Sequence, residues 1–297
     1  MEKIITKIDS RGVAKVTLNN PSKHNAFDDY MITQLSNAFT AIAENSDVRL
    51  MILASKGQSF SAGADLDWMK RMAAYSYEEN LEDAKALAGM LKMLNDMPQP
   101  TIARVQGAAF GGALGLISCC DIAVAATTAS FALSEVKIGL VPATISPYVI
   151  AAIGERYAKR YFITAERFDA NTALQMSLVH ETVEEQLLDK KIEQLVTSVL
   201  SNGPEAVAAA KQLISKVSGE AIDSTLIEHT CADTARALAA CERFADETTT
   251  TLLVVQGDVV TDVALDDVLS THLVNAATAT CALAKKRAWA KVETKAG

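Results

Sequence analysis

Gln106–Pro142 reads QGAAFGGALGLISCCDIAVAATTASFALSEVKIGLVP. An extended apolar run, Thr101–Val105, leads into it. Gly107, Gly111 and Gly112 crowd the turn that follows, and the small and apolar residues Ala113–Cys119 predict a short buried helix. Cys120–Ala126 predicts a buried strand, and Ser130–Leu133 a short extended piece that delivers Glu135. Glycines opening a helix leave backbone N–H groups without intrahelical partners. Such a terminus favours negative charge. The charge need not be a phosphate, because a developing oxyanion is served equally well. The structural alternative is a glycine turn demanded by tight packing, and this motif alone does not separate the two.

A second stretch points the same way. Ser59–Leu66, SFSAGADL, follows the apolar strand Leu50–Ala54 and is again a small-residue turn entering a helix, with Asp65 near its start. Five pieces then occur in order: NNPSKHNAF at 19–27, FSAGADL at 60–66, GAAFGGAL at 107–114, CDIAVA at 120–125 and FALSEVKIGLVP at 131–142. Together they resemble the crotonase, or enoyl-CoA hydratase/isomerase, superfamily over residues 1–247. Within it, GADLDWM at 63–69 and GGALGLISCCD at 111–121 look most like bacterial 3-methylglutaconyl-CoA hydratases.

The resemblance implies an α/β fold, a spiral of ββα turns with a C-terminal helical region. It implies a spiral core over 1–200, a helical trimerisation region over 201–247 and an atypical tail over 248–297. It also implies a homotrimer or homohexamer acting on acyl-CoA thioesters, with coenzyme A as part of the substrate and no separate cofactor. The expected reaction is addition of water to an α,β-unsaturated acyl-CoA. The subfamily likeness narrows this to 3-methylglutaconyl-CoA going to 3-hydroxy-3-methylglutaryl-CoA in leucine or isovalerate catabolism. The alternatives are a Δ3,Δ2-enoyl-CoA isomerase and a non-catalytic acyl-CoA-binding relative.

By the same resemblance, the N–H groups of Ala64 and Gly112 form the oxyanion hole and Glu135 is the acid–base residue. Backbone donors explain why small residues fill both turns. A carboxylate at 135, followed by Val136, Ile138 and Leu140, is expected to be partly desolvated, which raises its pKa and suits proton transfer near neutrality. Ala62, Gly63, Asp65 and Leu66 should line the acyl-CoA, with Asn25 and Ala26 beside it. Lys23, Lys56 and Lys70 are candidates for its phosphates, Lys23 one place later than the family lysine. Arg71, Lys70 and Arg156 are candidates for the substrate's terminal carboxylate. One departure matters. Two-glutamate hydratases carry their first glutamate where this chain has Gly115, which can neither orient water nor move a proton. Ser134, Thr144 and Ser146 are the remaining candidates for holding water.

Composition bounds the rest. The 297 residues are 49% apolar and 22% charged, ordinary for a globular protein with a sizeable core. A net charge of −8 argues against non-specific nucleic-acid binding. Five cysteines without a C-x-x-C pair or a Cys/His cluster give no metal site, and an odd count suits a reducing cytoplasm. The N-terminus MEKIITKI has no secretory core, and no apolar run reaches the roughly 18 residues of a membrane span.

Along the chain, Ile4–Ile8 and Val13–Leu18 predict a hairpin. Asp28 or Asp29 caps a helix running to Glu44, and Glu78–Met97 is an amphipathic helix stopped by Pro98 and Pro100. Ile145–Ile153, Glu155–Phe162, Ala170–Met176, Glu184–Leu200, Pro204–Val217 and Ala221–Ala245 read as helices, and Leu178–Val183 as a strand. The Lys285–Trp289 run reads as a displaced basic terminal helix, beyond a β-like Leu252–Val260.

Overall fold

The computed structural model describes residues 2–218, 280–285 and 288–293. The chain divides into two compact units, Met1–Ala221 and Ile222–Gly297. The expected helix Ala221–Ala245 and the β-like Leu252–Val260 lie outside the described residues.

In the first unit, β1 (Ile4–Ile8) and β2 (Val13–Leu18) form the expected antiparallel hairpin. Helix α1 (Asp29–Ala43) is capped by Asp28, whose carboxylate accepts from the Met31 N–H at 2.9 Å. Its apolar stripe, Met31, Ile32, Leu35, Phe39 and Ile42, is buried. Strand β3 (Leu50–Ser55) is buried on both faces, as its unbroken apolar run requires. Helix α2 (Leu66–Met72) follows, then α3 (Tyr77–Asn95), which opens on a capping box between Ser76 and Glu79.

The glycine-rich stretch folds as β4 (Thr101–Val105), β5 (Ala108–Phe110), α4 (Gly112–Cys119), β6 (Ile122–Ala126) and β7 (Ser130–Ala132). Glu135–Ile138 is a short 3-10 turn. Helix α5 (Ser146–Thr164) spans both predicted helical stretches, which meet at Gly154, the one residue inside it with non-helical φ/ψ. Next come β8 (Phe168–Asp169), α6 (Ala170–Gln175) and β9 (Glu181–Val183). Strand β9 is shorter than the expected Leu178–Val183. The N–H groups of Leu178 and Val179 instead turn back to the Ala173 carbonyl, closing α6, and pairing starts only at Glu181. Helices α7 (Leu188–Leu200) and α8 (Pro204–Val217) complete the described part of this unit.

In the second unit, β10 (Thr280–Lys285) and β11 (Ala288–Glu293) pair antiparallel, with Lys285 opposite Ala288. The expected basic terminal helix at Lys285–Trp289 is therefore corrected. The alternation through Ala288, Trp289, Ala290, Lys291 and Val292 has the two-residue period of a strand.

Two sheets position the site. The larger runs β1-β2-β3-β4-β6-β9, parallel from β2 onward. One face buries Ala14, Val16, Met51, Leu53, Ala103 and Val105 in the main core, with α1, α3, α4 and α5 contributing. The other buries Val13, Leu50, Ile52, Ala54, Ile102 and Val124 under α7. The smaller sheet, β5-β7-β8, continues into isolated bridges from Ala109 to Ser61 and from Ala64 to Phe27. Each successive strand-helix turn thus lays one more rung on this stair, and the stair brings residues 27, 64, 109 and 131 together. This is the ββα spiral.

Candidate active site

Two glycines join the small-residue turns. Gly63 has φ +87° and Gly111 φ +55°, backbone that L side chains rarely adopt. A Cβ on Gly63 would stand 2.9 Å from the Phe110 carbonyl oxygen, and one on Gly111 3.9 Å from the Gly63 Cα. The turns therefore touch backbone to backbone, a closeness only glycine permits. The residue after each glycine, Ala64 and Gly112, has an N–H that takes no protein acceptor among the described residues. Around Ala64 the bridge uses other groups: Phe27 N–H donates to Gly63 O, and Asp65 N–H to Phe27 O. Gly112 is the first residue of α4, where the N–H has no intrahelical partner. Phe27 packs beneath it, its Cε2 3.2 Å from where a Gly112 Cβ would sit.

Glu135 closes this arrangement. Its Oε1 lies 3.1 Å from the position of a Gly111 Cβ. Its Oε2 is buried with no hydrogen-bond partner. Burial pushes the carboxyl pKa up, and the residue's own N–H only partly offsets this. A half-buried carboxyl with one idle oxygen, beside two idle N–H donors, can exchange a proton with a substrate whose oxygen the donors hold.

Gly115, one helical turn beyond Gly112, faces no open space. A Cβ there would stand 2.4 Å from Ile145 Cγ2 and 3.4 Å from Leu91 Cδ2. Gly115 of α4 thus packs against Ile145, the residue that caps the N-terminus of α5. No sequence signal pairs these two positions. Of the candidate water-holding hydroxyls, Ser146 Oγ donates to the Ala143 carbonyl at 2.8 Å, while Ser134 and Thr144 are half-buried near Glu135 in sequence.

The other expected site residues divide. Ala62 and Ala64 are exposed, Gly63 is buried between them, and Leu66 is 68% exposed beside them. Asn25 is fully buried at φ +54°. Its amide donates to the carbonyls of Lys56 and Ser59 at 2.8 and 2.9 Å and accepts from Asn20 N–H at 2.8 Å. It clamps the first loop to the second, with Ala26 buried beside it. Asp65 is buried and caps α2, accepting from the N–H groups of Asp67 and Trp68 at 2.9 and 3.1 Å. Lys23 Nζ lies 2.8 Å from Asp65 and 2.9 Å from Asp67, so two carboxylates already neutralise it. Burial works against Asp65 ionising, but Lys23 and the capping N–H groups outweigh it and hold its pKa below the usual carboxylate range. Lys70 is 3.9 Å from Asp67, and Arg71 pairs with Asp29 at 2.9 Å. Cys119 and Cys120 are buried, and burial pushes the Cys120 thiol up to about 12, so it stays protonated and unreactive.

A profile described as enoyl-CoA hydratase/isomerase matches residues 9–244. This chain belongs to that family. A solved enoyl-CoA hydratase from Shewanella pealeana is 44% identical, with a TM-score of 0.77 over 80% of this chain and 88% of that one. The short-chain-enoyl-CoA hydratase of Clostridium acetobutylicum is 32% identical over 72% of this chain and 82% of its own length. The crotonyl-CoA hydratase of Syntrophomonas wolfei is 30% identical over 71% and 80%. The enoyl-CoA hydratase/isomerase fold and an acyl-CoA substrate class thus stand. The names of these relatives do not include 3-methylglutaconyl-CoA, so the finer specificity belongs to the proposal below. No helix among the described residues is long and apolar enough to cross a membrane.

Proposed function

We propose that this enzyme hydrates an α,β-unsaturated acyl-CoA with a branched β-carbon, 3-methylglutaconyl-CoA in particular. The carrying observation is the buried, unpartnered Glu135 Oε2 beside the unpaired N–H groups of Ala64 and Gly112. In this reading the thioester oxygen accepts from both N–H groups. Water attacks C3, and the negative charge moves through C2 to the thioester oxygen, where the donors stabilise the enolate. Glu135 takes the proton that the water releases and delivers one to C2, so a single carboxyl serves both halves of the addition. Burial raises its pKa above the ordinary carboxylate value, which eases the return of the proton from the carboxyl to C2.

The β-methyl group supports partial positive charge at C3, so water there needs less activation by a second base. Gly115 removes that second base. Leu66, Ala62 and Ala64 offer the thioester an apolar exposed strip. Asn25, Ala26, Gly63 and Asp65 set the backbone from behind it. Lys23 is already paired with two carboxylates and Lys56 lines a cleft with Lys7 and Lys15, so Lys70, 3.9 Å from Asp67, remains the candidate for the CoA phosphates.

Isomerisation is the second reading, and the Gly115–Ile145 contact favours it. Where Ile145 fills the space, no carboxylate can stand, and one proton-shuttling glutamate suffices to move a double bond. Turnover of crotonyl-, 3-methylglutaconyl- and 3-enoyl-CoA, with products identified by mass spectrometry, separates the readings. The hydration reading expects a 3-hydroxy product, formed fastest from 3-methylglutaconyl-CoA. A shifted double bond from 3-enoyl-CoA with no water added to any substrate replaces it with isomerisation. Binding without turnover removes both.

A further inference from the structure

On the sheet face away from Glu135, β1 and β2 bring two lysines directly opposite one another. Lys7 and Lys15 are Cα partners in the antiparallel register. Like charges so placed destabilise a strand pair unless something neutralises them. They line a cleft of about 440 Å3, together with Thr17, Lys56, Arg104, Glu185 and Asp189. Lys15 and Thr17 alternate with Ala14, Val16 and Leu18, which enter the main core, and Arg104 alternates with Ala103 and Val105. The cleft is therefore on the α7 side of the large sheet, whereas Phe27, Ala109 and Phe131 of the Glu135 stair belong to the core on the other side.

One wall is rigid. The Arg104 side chain is only 16% exposed, and its Nε donates to Asp189 at 2.6 Å. A second nitrogen donates to Gln106 Oε1 at 3.0 Å. Gln106 is buried and donates in turn to the Ser55 carbonyl at 2.9 Å and to its hydroxyl at 2.8 Å. Arg104 and Lys15 hold the Asp189 carboxyl below its usual range, so it stays charged. Glu185 accepts from the Thr128 hydroxyl at 3.2 Å. Four cationic side chains thus face two carboxylates, an excess of two positive charges, in a protein whose net charge is −8. Lys7, Lys15 and Lys56 form no direct ion pair with a carboxylate among the described residues, and Lys15 acts on Asp189 only through its longer-range field.

We propose that this cleft binds a small dianion or polyanion of the phosphate class, bridging Lys7 and Lys15 and oriented by the Arg104 wall, at a site separate from the thioester site. Phosphate groups suit it because their several acceptor oxygens can meet lysine and arginine donors together. The same chemistry could come from a free phosphorylated molecule or from the nucleotide end of CoA, and the proposal commits to the free one.

The test is calorimetric titration of the full chain with inorganic pyrophosphate at low ionic strength, where charge pairing is least screened. It is run on the wild type and on Lys7→Gln/Lys15→Gln, with acyl-CoA affinity and turnover measured on both. Circular dichroism first shows that the variant is folded. The proposal expects saturable binding to the wild type, at least about tenfold weaker binding to the variant, and unchanged acyl-CoA affinity and turnover. No saturable binding to the wild type, or equal binding to both, overturns it. If pyrophosphate and acyl-CoA affinity fall together, the lysines serve the substrate's own phosphates and the separate site is overturned. Failure of hydration with pyrophosphate binding intact would count against the reaction proposed above and leave this site standing.

Discussion

Glu135 is held where its charged form is poorly solvated, so the burial that suits it to proton transfer should also cost stability. Its folded pKa lies above the unfolded value. The stability linked to its protonated form is therefore complete below the unfolded pKa, about 4.3, and is lost as pH rises through the folded pKa. A neutral isostere escapes that loss. Glu135→Gln should melt above the wild type at pH 7–8, with the gap closing as pH falls towards about 4. Its turnover should fall at least about 100-fold, with acyl-CoA affinity nearly unchanged. Thermal melts across pH, paired with turnover, check both parts, and a variant that is equally active takes Glu135 out of the chemistry. Gly112 allows a second separation. Proline fits the first position of a helix but has no N–H. Alanine keeps the N–H and makes the same approach to Phe27. Gly112→Pro should therefore lose about 3 kcal/mol of transition-state stabilisation, roughly 100-fold in rate, beyond whatever Gly112→Ala loses. Equal losses in two folded variants would mean that Gly112 acts through shape and not as a donor.

At the scale of elements, the α4–α5 contact decides what the site can contain. Gly115→Ala would ordinarily stabilise a helix by about 1 kcal/mol. Here it should destabilise by about 1–3 kcal/mol, because its Cβ would overlap Ile145 Cγ2. Ile145→Ala removes that methyl, so the penalty of Gly115→Ala should shrink in the double variant, and denaturant midpoints over the four-member cycle read the coupling. The same geometry indicates that Gly115→Glu alone will not supply a working second carboxylate. The sequence makes Gly115 visible as a missing glutamate, but its cause lies in Ile145, thirty residues away and brought in only by packing. Local features were easier to read. The α1 stripe, the Asp28 cap, the two glycine turns and the position of Glu135 after a short strand all follow from neighbouring residues. The tertiary pairings were hidden. The sequence marks Asn25 and Asp65 as positions beside the acyl-CoA but does not show that their side chains clamp a loop and cap a helix. Nor does it show that Lys23, a candidate for the CoA phosphates, pairs with two carboxylates, one of them forty-two residues on.

Across the first unit, parallel strands and a stair of short bridges bring residues distant in sequence to one edge, beside Glu135 and the N–H groups of Ala64 and Gly112. Beyond Glu135 the chain leaves Ile138, Leu140 and Val141 exposed in a row. Water-facing apolar residues in such a row are expected to be covered in an assembly. The family resemblance implies a trimer or a hexamer, so light scattering should give one at working concentration, and a solution of monomers alone would contradict that expectation. The central claim, that Glu135 protonates C2 of an enolate formed by water addition, is tested most directly in deuterated water. Wild-type enzyme and Glu135→Gln are each incubated with 3-methylglutaconyl-CoA, and deuterium in the product is located by mass spectrometry. The account predicts a 3-hydroxy-3-methylglutaryl product from the wild type carrying one deuterium at C2, and no product above background from the variant. Deuterium entering C2 or C4 of an enoyl-CoA that never gains a hydroxyl would contradict it.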